Sequence, residues 1–137
     1  MTYKILVFLS VLFTSAVYAD VAVIVHPSNG SSISKDDIKK IFLGKQSSFS
    51  DGAKATPYYL SSGDSAKETF DDQALGKSSS QLKAYWSKLV FTGKGTPPAE
   101  LSGSADAISK VAGDAGAIAY VDSAAVNDSV KVVATFP

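Results

Sequence analysis

Cysteine and arginine are both absent from the 137 residues, and histidine and tryptophan occur once each. Without cysteine there is no disulfide staple, no thiolate metal site and no thiol for a lipid anchor, so a packed core alone must hold the fold. Without arginine, any anion site must rest on backbone amides, Ser/Thr hydroxyls and lysine. The single histidine, His26, argues against multi-histidine metal sites, and no metal or cofactor is expected. Charge is balanced, with 13 Lys against 13 Asp plus Glu. Neither nucleic acid nor an anionic membrane surface is therefore expected as a partner, since both demand clustered positive charge. The longest apolar run, Ile5 to Ala16, covers about 12 residues, well short of the roughly 20 that span a bilayer.

That run has a different use. Lys4 gives a short positive start, and Val17-Tyr18-Ala19 has the small-x-small form of a signal-peptidase site. Residues 1–19 are thus expected to be a signal peptide. A single domain, 20–137, would follow, with no membrane insertion after cleavage. A cysteine-free exported domain fits a bacterial periplasmic or secreted location, because eukaryotic secreted domains of this size more often carry disulfides.

Hydrophobic patterning organises the remainder. Val21-Ala22-Val23-Ile24-Val25 is a continuous β-branched run, the mark of a strand buried on both faces. After the turn-rich loop His26 to Ser32, Ser34 and Asp37 form a capping box, with Ile33 and Ile38 at the staple positions. Ile38, Ile41 and Phe42 give helical spacing, and Gly44 closes the helix. A strand is expected at about Ala55 to Leu60, then a helix capped by Ser65 with Glu68 and ended by Gly76. Ser78 with Gln81 opens the most clearly amphipathic helix, striped by Leu82, Tyr85, Trp86, Leu89 and Val90. Ser104 caps a shorter helix carrying Ile108 and Val111. Ala117 to Val121 reads as a buried strand, and Val130 to Phe136 as the last. The mixture predicts an α/β fold with a mixed, partly parallel sheet flanked by helices.

The strand-to-helix junction at Tyr58 to Phe70 carries the chemistry. A strand ending in a Ser/Gly loop that turns directly into a helix gathers unpaired N–H groups and the positive end of the helix dipole. The amides of Gly63, Ser65 and Ala66, with the hydroxyls of Ser61, Ser62 and Ser65, thus make a candidate oxyanion seat. Asp64 lies inside it, where its carboxylate either occupies the seat itself or accepts a proton from a protonated ligand. Ser28 and Asn29, after the first strand, are expected to assist if the two strands are neighbours. The alternative is that these serines only cap a helix and fill a turn. His26 is a candidate source of pH dependence, histidine being the side chain that changes charge near neutral pH, with a hydrogen-bonded surface or turn residue as the alternative.

Five stretches, taken in order, resemble the phosphate-binding-protein branch of the type 2 periplasmic solute-binding proteins. They are VAVIVHPSN (21–29), DIKKIFLG (37–44), FSDG (49–52), QLKAYWSKLVFTGKGTPP (81–98) and GDAGAIAYVD (113–122). The resemblance implies the fold of about one lobe of such a protein, where full-length members close two lobes around the anion. It implies phosphate, or a similar small oxyanion, as ligand. Two departures stand at the family's Arg and Ser-Gly-Thr positions, which align with Leu60 and with Asp64-Ser65-Ala66. A homodimer or an envelope protein partner would have to supply the opposite wall. A second reading keeps the fold without the solute, as a protein-interaction module in the envelope.

An enzyme is not expected. Gly63-Asp64-Ser65-Ala66 has the outline of a nucleophile elbow, but Lys67 stands where the second glycine is needed. The Ser-x-x-Lys spacings at Ser32/Lys35 and Ser80/Lys83 are what a chain rich in both residues produces by chance. Tyr85 and Trp86 lie on an apolar stripe, so core packing explains them. Thr92-Gly93-Lys94-Gly95 follows a helix instead of opening one, so helix termination explains it.

Overall fold

The computed structural model describes residues 20–137; the expected signal peptide lies outside the described residues. The described residues form five strands and four α-helices, in the order β1 (Val21–Val25), α1 (Lys35–Phe42), β2 (Thr56–Leu60), α2 (Ser65–Phe70), α3 (Ser79–Phe91), β3 (Ala99–Leu101), α4 (Ser104–Ala112), β4 (Ala117–Asp122) and β5 (Lys131–Phe136). A π-helical turn, Asp71–Leu75, continues α2, and a 3-10 turn, Ser123–Ala125, follows β4. One sheet holds all the strands in the order β3-β2-β4-β1-β5. β2 runs parallel to β3 and β4, whereas β1 runs antiparallel to β4 and β5. This is the mixed, partly parallel α/β architecture expected from the sequence.

The two unbroken apolar runs are the central strands. β1 and the first five residues of β4 are buried throughout, as strands covered on both faces must be. Around Tyr120 the core is aromatic: its ring stacks on Phe70 with centroids 3.9 Å apart, and Phe42 and Tyr59 pack against it. Tyr120 also has a polar task. The β2–β4 ladder registers only Thr56 and Pro57, and Pro57 has no N–H to give. Further along β2, the Leu60 amide donates 3.0 Å to the Tyr120 hydroxyl instead.

Capping follows the expected chemistry at α1 and α3, where Ser34/Asp37 and Ser78/Gln81 form complete capping boxes. Gly44 takes φ +73° after α1 and lies against the Trp86 indole, where an added Cβ would stand 3.0 Å from a ring carbon. Four expectations need correction. The N-cap of α2 is Asp64, not Ser65, because a carboxylate one residue earlier reaches the Ala66 amide at 2.9 Å. Ser104 does not cap α4; Gly103 holds that position, and the Ser104 hydroxyl accepts from the Asp122 amide at 3.0 Å. Along α3, Leu82 and Trp86 are buried and Tyr85 and Leu89 half-buried, but Val90 is 54% exposed. β3 was not foreseen, since three largely exposed residues after Pro97-Pro98 carry no apolar run; its parallel pairing with β2 makes it a strand.

Removing the phenol oxygen at the sheet's centre isolates its role. Tyr120→Phe keeps the ring stack but leaves the buried Leu60 amide without an acceptor. Urea unfolding should show a loss of about 1–3 kcal/mol, with an unchanged denaturant slope.

Candidate functional site

The topology separates the sequence-predicted residues into two groups. Val25 and Pro57 both register with Ile118, so the end of β1 and the start of β2 share one pole of the sheet. Ser28 and Asn29 therefore lie at the opposite pole from Ser61, Ser62, Gly63, Asp64, Ser65 and Ala66. β1 and β2 are also not neighbours, since β4 lies between them, and the two loops do not converge. Ser28 and Asn29 have local work instead. The Ser28 hydroxyl lies 2.7 Å from His26 Nδ1, and Asn29 turns the chain through its amide and its Oδ1. Lys131 donates to the Asn29 carbonyl, fixing this turn to β5.

At the other pole, the Ser61–Ala66 loop is partly committed to structure. The Ser61 amide and hydroxyl both donate to the Leu101 carbonyl, at 2.9 and 3.0 Å, and tie β2 to β3. Asp64 Oδ1 accepts from Ala66, so one of the expected donors is already filled by the protein's own carboxylate. Ser62, Gly63 and Ser65 are exposed. Their amides, and the Ser62 and Ser65 hydroxyls, have no hydrogen-bond partner among the described residues. Gly63 holds φ +94°, a conformation that L side chains rarely adopt.

Ser62 and Gly63 border a groove of about 1030 Å³ that extends under α3 to the Pro97-Pro98 segment. Tyr59, Trp86 and Lys67 also line it, and they form a buried network. The Trp86 indole N–H donates to the Tyr59 hydroxyl at 3.1 Å, and that hydroxyl donates to the Phe42 carbonyl at 2.6 Å. Burial pushes the Tyr59 phenol well above its ordinary pKa, so it stays protonated as that donor. Lys67, 8% exposed, places its ammonium 2.7 Å from Asp71 Oδ2 and 5.2 Å from the Tyr59 ring centroid. Asp71 is 1% exposed and its Oδ1 has no partner among the described residues. Burial raises the Asp71 pKa, against the lowering effect of the hydrogen bond and charge of Lys67. Sequence reading missed this pair, although a Lys and an Asp four residues apart on a helix is a legible signal.

Among the described residues no cluster of three or more His, Asp or Glu is placed to hold a metal, and no helix is long and apolar enough to cross a membrane. The arrangement offers hydrogen-bond donors at a loop, a largely apolar groove beside it, and a neutralised ion pair in the groove wall.

Comparisons with known proteins agree with this fold. The profile of one family, described as a PBP superfamily domain, matches residues 9–135. No curated protein sequence matches the chain. Among solved structures, one similar fold belongs to a Clostridium perfringens protein assigned as a phosphate ABC transporter substrate-binding protein, with bound phosphate. It is 23% identical with a TM-score of 0.66, covering 84% of this chain and 45% of its own. An ABC-type phosphate transport receptor from Vibrio cholerae is 13% identical with a TM-score of 0.65, covering 84% and 46%. PstS from Borrelia burgdorferi is 13% identical with a TM-score of 0.59, covering 85% and 47%. The chain thus spans less than half the length of these structures, and at such identities the likeness concerns the fold.

Lys67→Ala leaves Asp71 buried without its cation and should cost about 3–5 kcal/mol in chemical unfolding. Replacing both, as Lys67→Met with Asp71→Leu, should recover most of that loss. The pH sign is also fixed. A carboxyl whose folded pKa is raised stabilises most when protonated, below its ordinary value of 3.8, and loses that contribution as pH rises through the folded pKa. The stability of the wild type relative to Asp71→Asn should therefore fall as pH rises from below 3.8 towards neutrality.

Proposed function

Because the chain belongs to the PBP superfamily domain family, we propose that it is an exported, non-enzymatic solute-binding domain that receives a small oxyanion, phosphate first, at the Ser61–Ala66 loop. The observation that carries this reading is the set of unpartnered donors at Ser62, Gly63 and Ser65 around Asp64, whose Oδ2 makes no hydrogen bond among the described residues. An ionised carboxylate only accepts hydrogen bonds. It therefore repels a fully ionised anion such as sulfate but accepts from the P–OH that phosphate retains near neutral pH. With no arginine in the chain and an exposed loop, a single copy binds weakly. A second copy or an envelope protein across the loop would exclude water and strengthen the contact.

A specific observation favours a second reading, that of an envelope interaction module without a solute. Phe91 is 92% exposed and Val90 54% exposed at one side of the groove, where an apolar surface suits a protein partner.

Thermal unfolding against phosphate, sulfate, nitrate and chloride at matched ionic strength separates the two. Under the first reading the midpoint rises with phosphate alone and follows the logarithmic ligand linkage, about 2.7 kcal/mol at a hundredfold excess over Kd. Ser65→Asp abolishes the rise. Asp64→Asn keeps a capping side chain but removes the charge, so sulfate then stabilises as phosphate does. Equal shifts with all four anions, or none, would leave the interaction module as the function.

A further inference from the structure

A Lys and an Asp spaced for an exposed helical pair are instead buried where α2 passes into its π-helical turn. That turn opens at Asp71, whose carbonyl accepts from the amides of Gly76 and Lys77, and such wide turns within helices often stand at functional sites. The Asp71 carboxylate is 1% exposed, with Oδ2 on Lys67 and Oδ1 without a partner among the described residues. Around it, α2 supplies Lys67 and Glu68, β2 Tyr59 and β4 Tyr120. α1 buries only Ile38, Ile41 and Phe42, its Lys35, Asp36, Lys39 and Lys40 are exposed, and its Asp37 is held in the capping box. Lys77 directs its ammonium to the Tyr85 ring, 5.4 Å from the centroid. Lys67 is therefore the cation that answers Asp71 among the described residues.

Lys67 is held in the groove wall by that one charge. Its ammonium has Asp71 Oδ2 at 2.7 Å and the Tyr59 ring centroid at 5.2 Å, and its side chain is 10% exposed. A desolvated ammonium without its counter-charge is unstable, and the flexible four-carbon stem of lysine lets it turn to water instead. The Lys67 amide donates to the Asp64 carbonyl at 3.0 Å, so this stem is rooted within one helical turn of the Ser61–Ala66 loop. Lys67, Ser62 and Gly63 line the same groove. Burial raises the Asp71 pKa, so this carboxyl takes up its proton at a higher pH than an ordinary aspartate.

We propose that Lys67 is the withheld cation of the oxyanion site: ionised Asp71 keeps it in the wall, and neutral Asp71 releases it into the groove beside Ser62 and Gly63. This inference rests on the oxyanion reading and adds its regulation, phosphate binding more tightly as Asp71 loses its charge. Released, Lys67 supplies beside the loop the positive side chain that a chain without arginine otherwise lacks there.

Asp71→Asn removes the charge at neutral pH and keeps the shape of the side chain. Acetylation by acetic anhydride, located by peptide mass mapping, should be slow at Lys67 in the wild type. In Asp71→Asn it should be as fast there as at the exposed Lys83. Inorganic phosphate, followed by thermal unfolding at neutral pH, should bind Asp71→Asn roughly fivefold more tightly than the wild type, the scale of one exposed ion pair. Adding Lys67→Met to Asp71→Asn should remove that gain. Near pH 3.8, where wild-type Asp71 is also neutral, wild type and Asp71→Asn should bind alike; Asp64 is common to both, so its own titration cancels. The proposal is overturned if Lys67 stays slow to acetylate in Asp71→Asn, if the phosphate gain survives Lys67→Met, or if the two proteins differ as much near pH 3.8 as at neutrality. Release of Lys67 with no phosphate response in any variant would defeat the oxyanion reading and the regulation that rests on it. A phosphate response in the wild type without release of Lys67 would defeat this proposal alone.

Discussion

The Tyr120 ring determines how the two halves of the sheet meet. It is fully buried, stacked on Phe70, and its hydroxyl takes the Leu60 amide where the β2–β4 ladder has ended. A phenol does here what a backbone carbonyl does in an ordinary ladder, and burial keeps it protonated. The consequence reaches outward. With Leu60 held by a side chain, the next residue, Ser61, turns to the Leu101 carbonyl and brings β3 alongside β2. The exposed loop and the border of the groove both follow from that turn.

The groove wall has a second constraint of the same kind. Lys67 is nearly buried because Asp71 accompanies it, and the pair is neutral only as a pair. Such pairs contribute little net stability over apolar replacements, yet removing one partner is costly. Tyr59 bridges this pair to Trp86, lying beneath the Lys67 ammonium while accepting the indole N–H. Along this wall the Trp86 indole N–H donates to the Tyr59 hydroxyl, whereas the Ser62 and Gly63 amides at the groove border have no partner among the described residues.

Legibility in the sequence followed the locality of the physics. Val21 to Val25 and Ala117 to Val121 announce buried strands because every side chain faces the core, and Ser34/Asp37 and Ser78/Gln81 announce helix starts within four residues. Asp64 was visible as a potential occupant of its own anion seat, and it does fill one donor there. Its role as the cap was missed because Ser65 and Glu68 also match the capping pattern, and only the backbone decides between adjacent candidates. The convergence of Ser28 and Asn29 with the Ser61–Ala66 loop failed for a non-local reason: strand direction is set by pairing partners distant in sequence. β3 was illegible because its strand character comes from β2, and not from its own residues.

The pairing of Val21 with Phe136 brings the first and last strands side by side at one pole of the sheet. That pole is the one reached by β4 at Asp122, and hence by the Ser61–Ala66 loop. Both ends of the described residues therefore border the same pole as the Ser61–Ala66 loop, and whatever is attached at either end shares that pole with it.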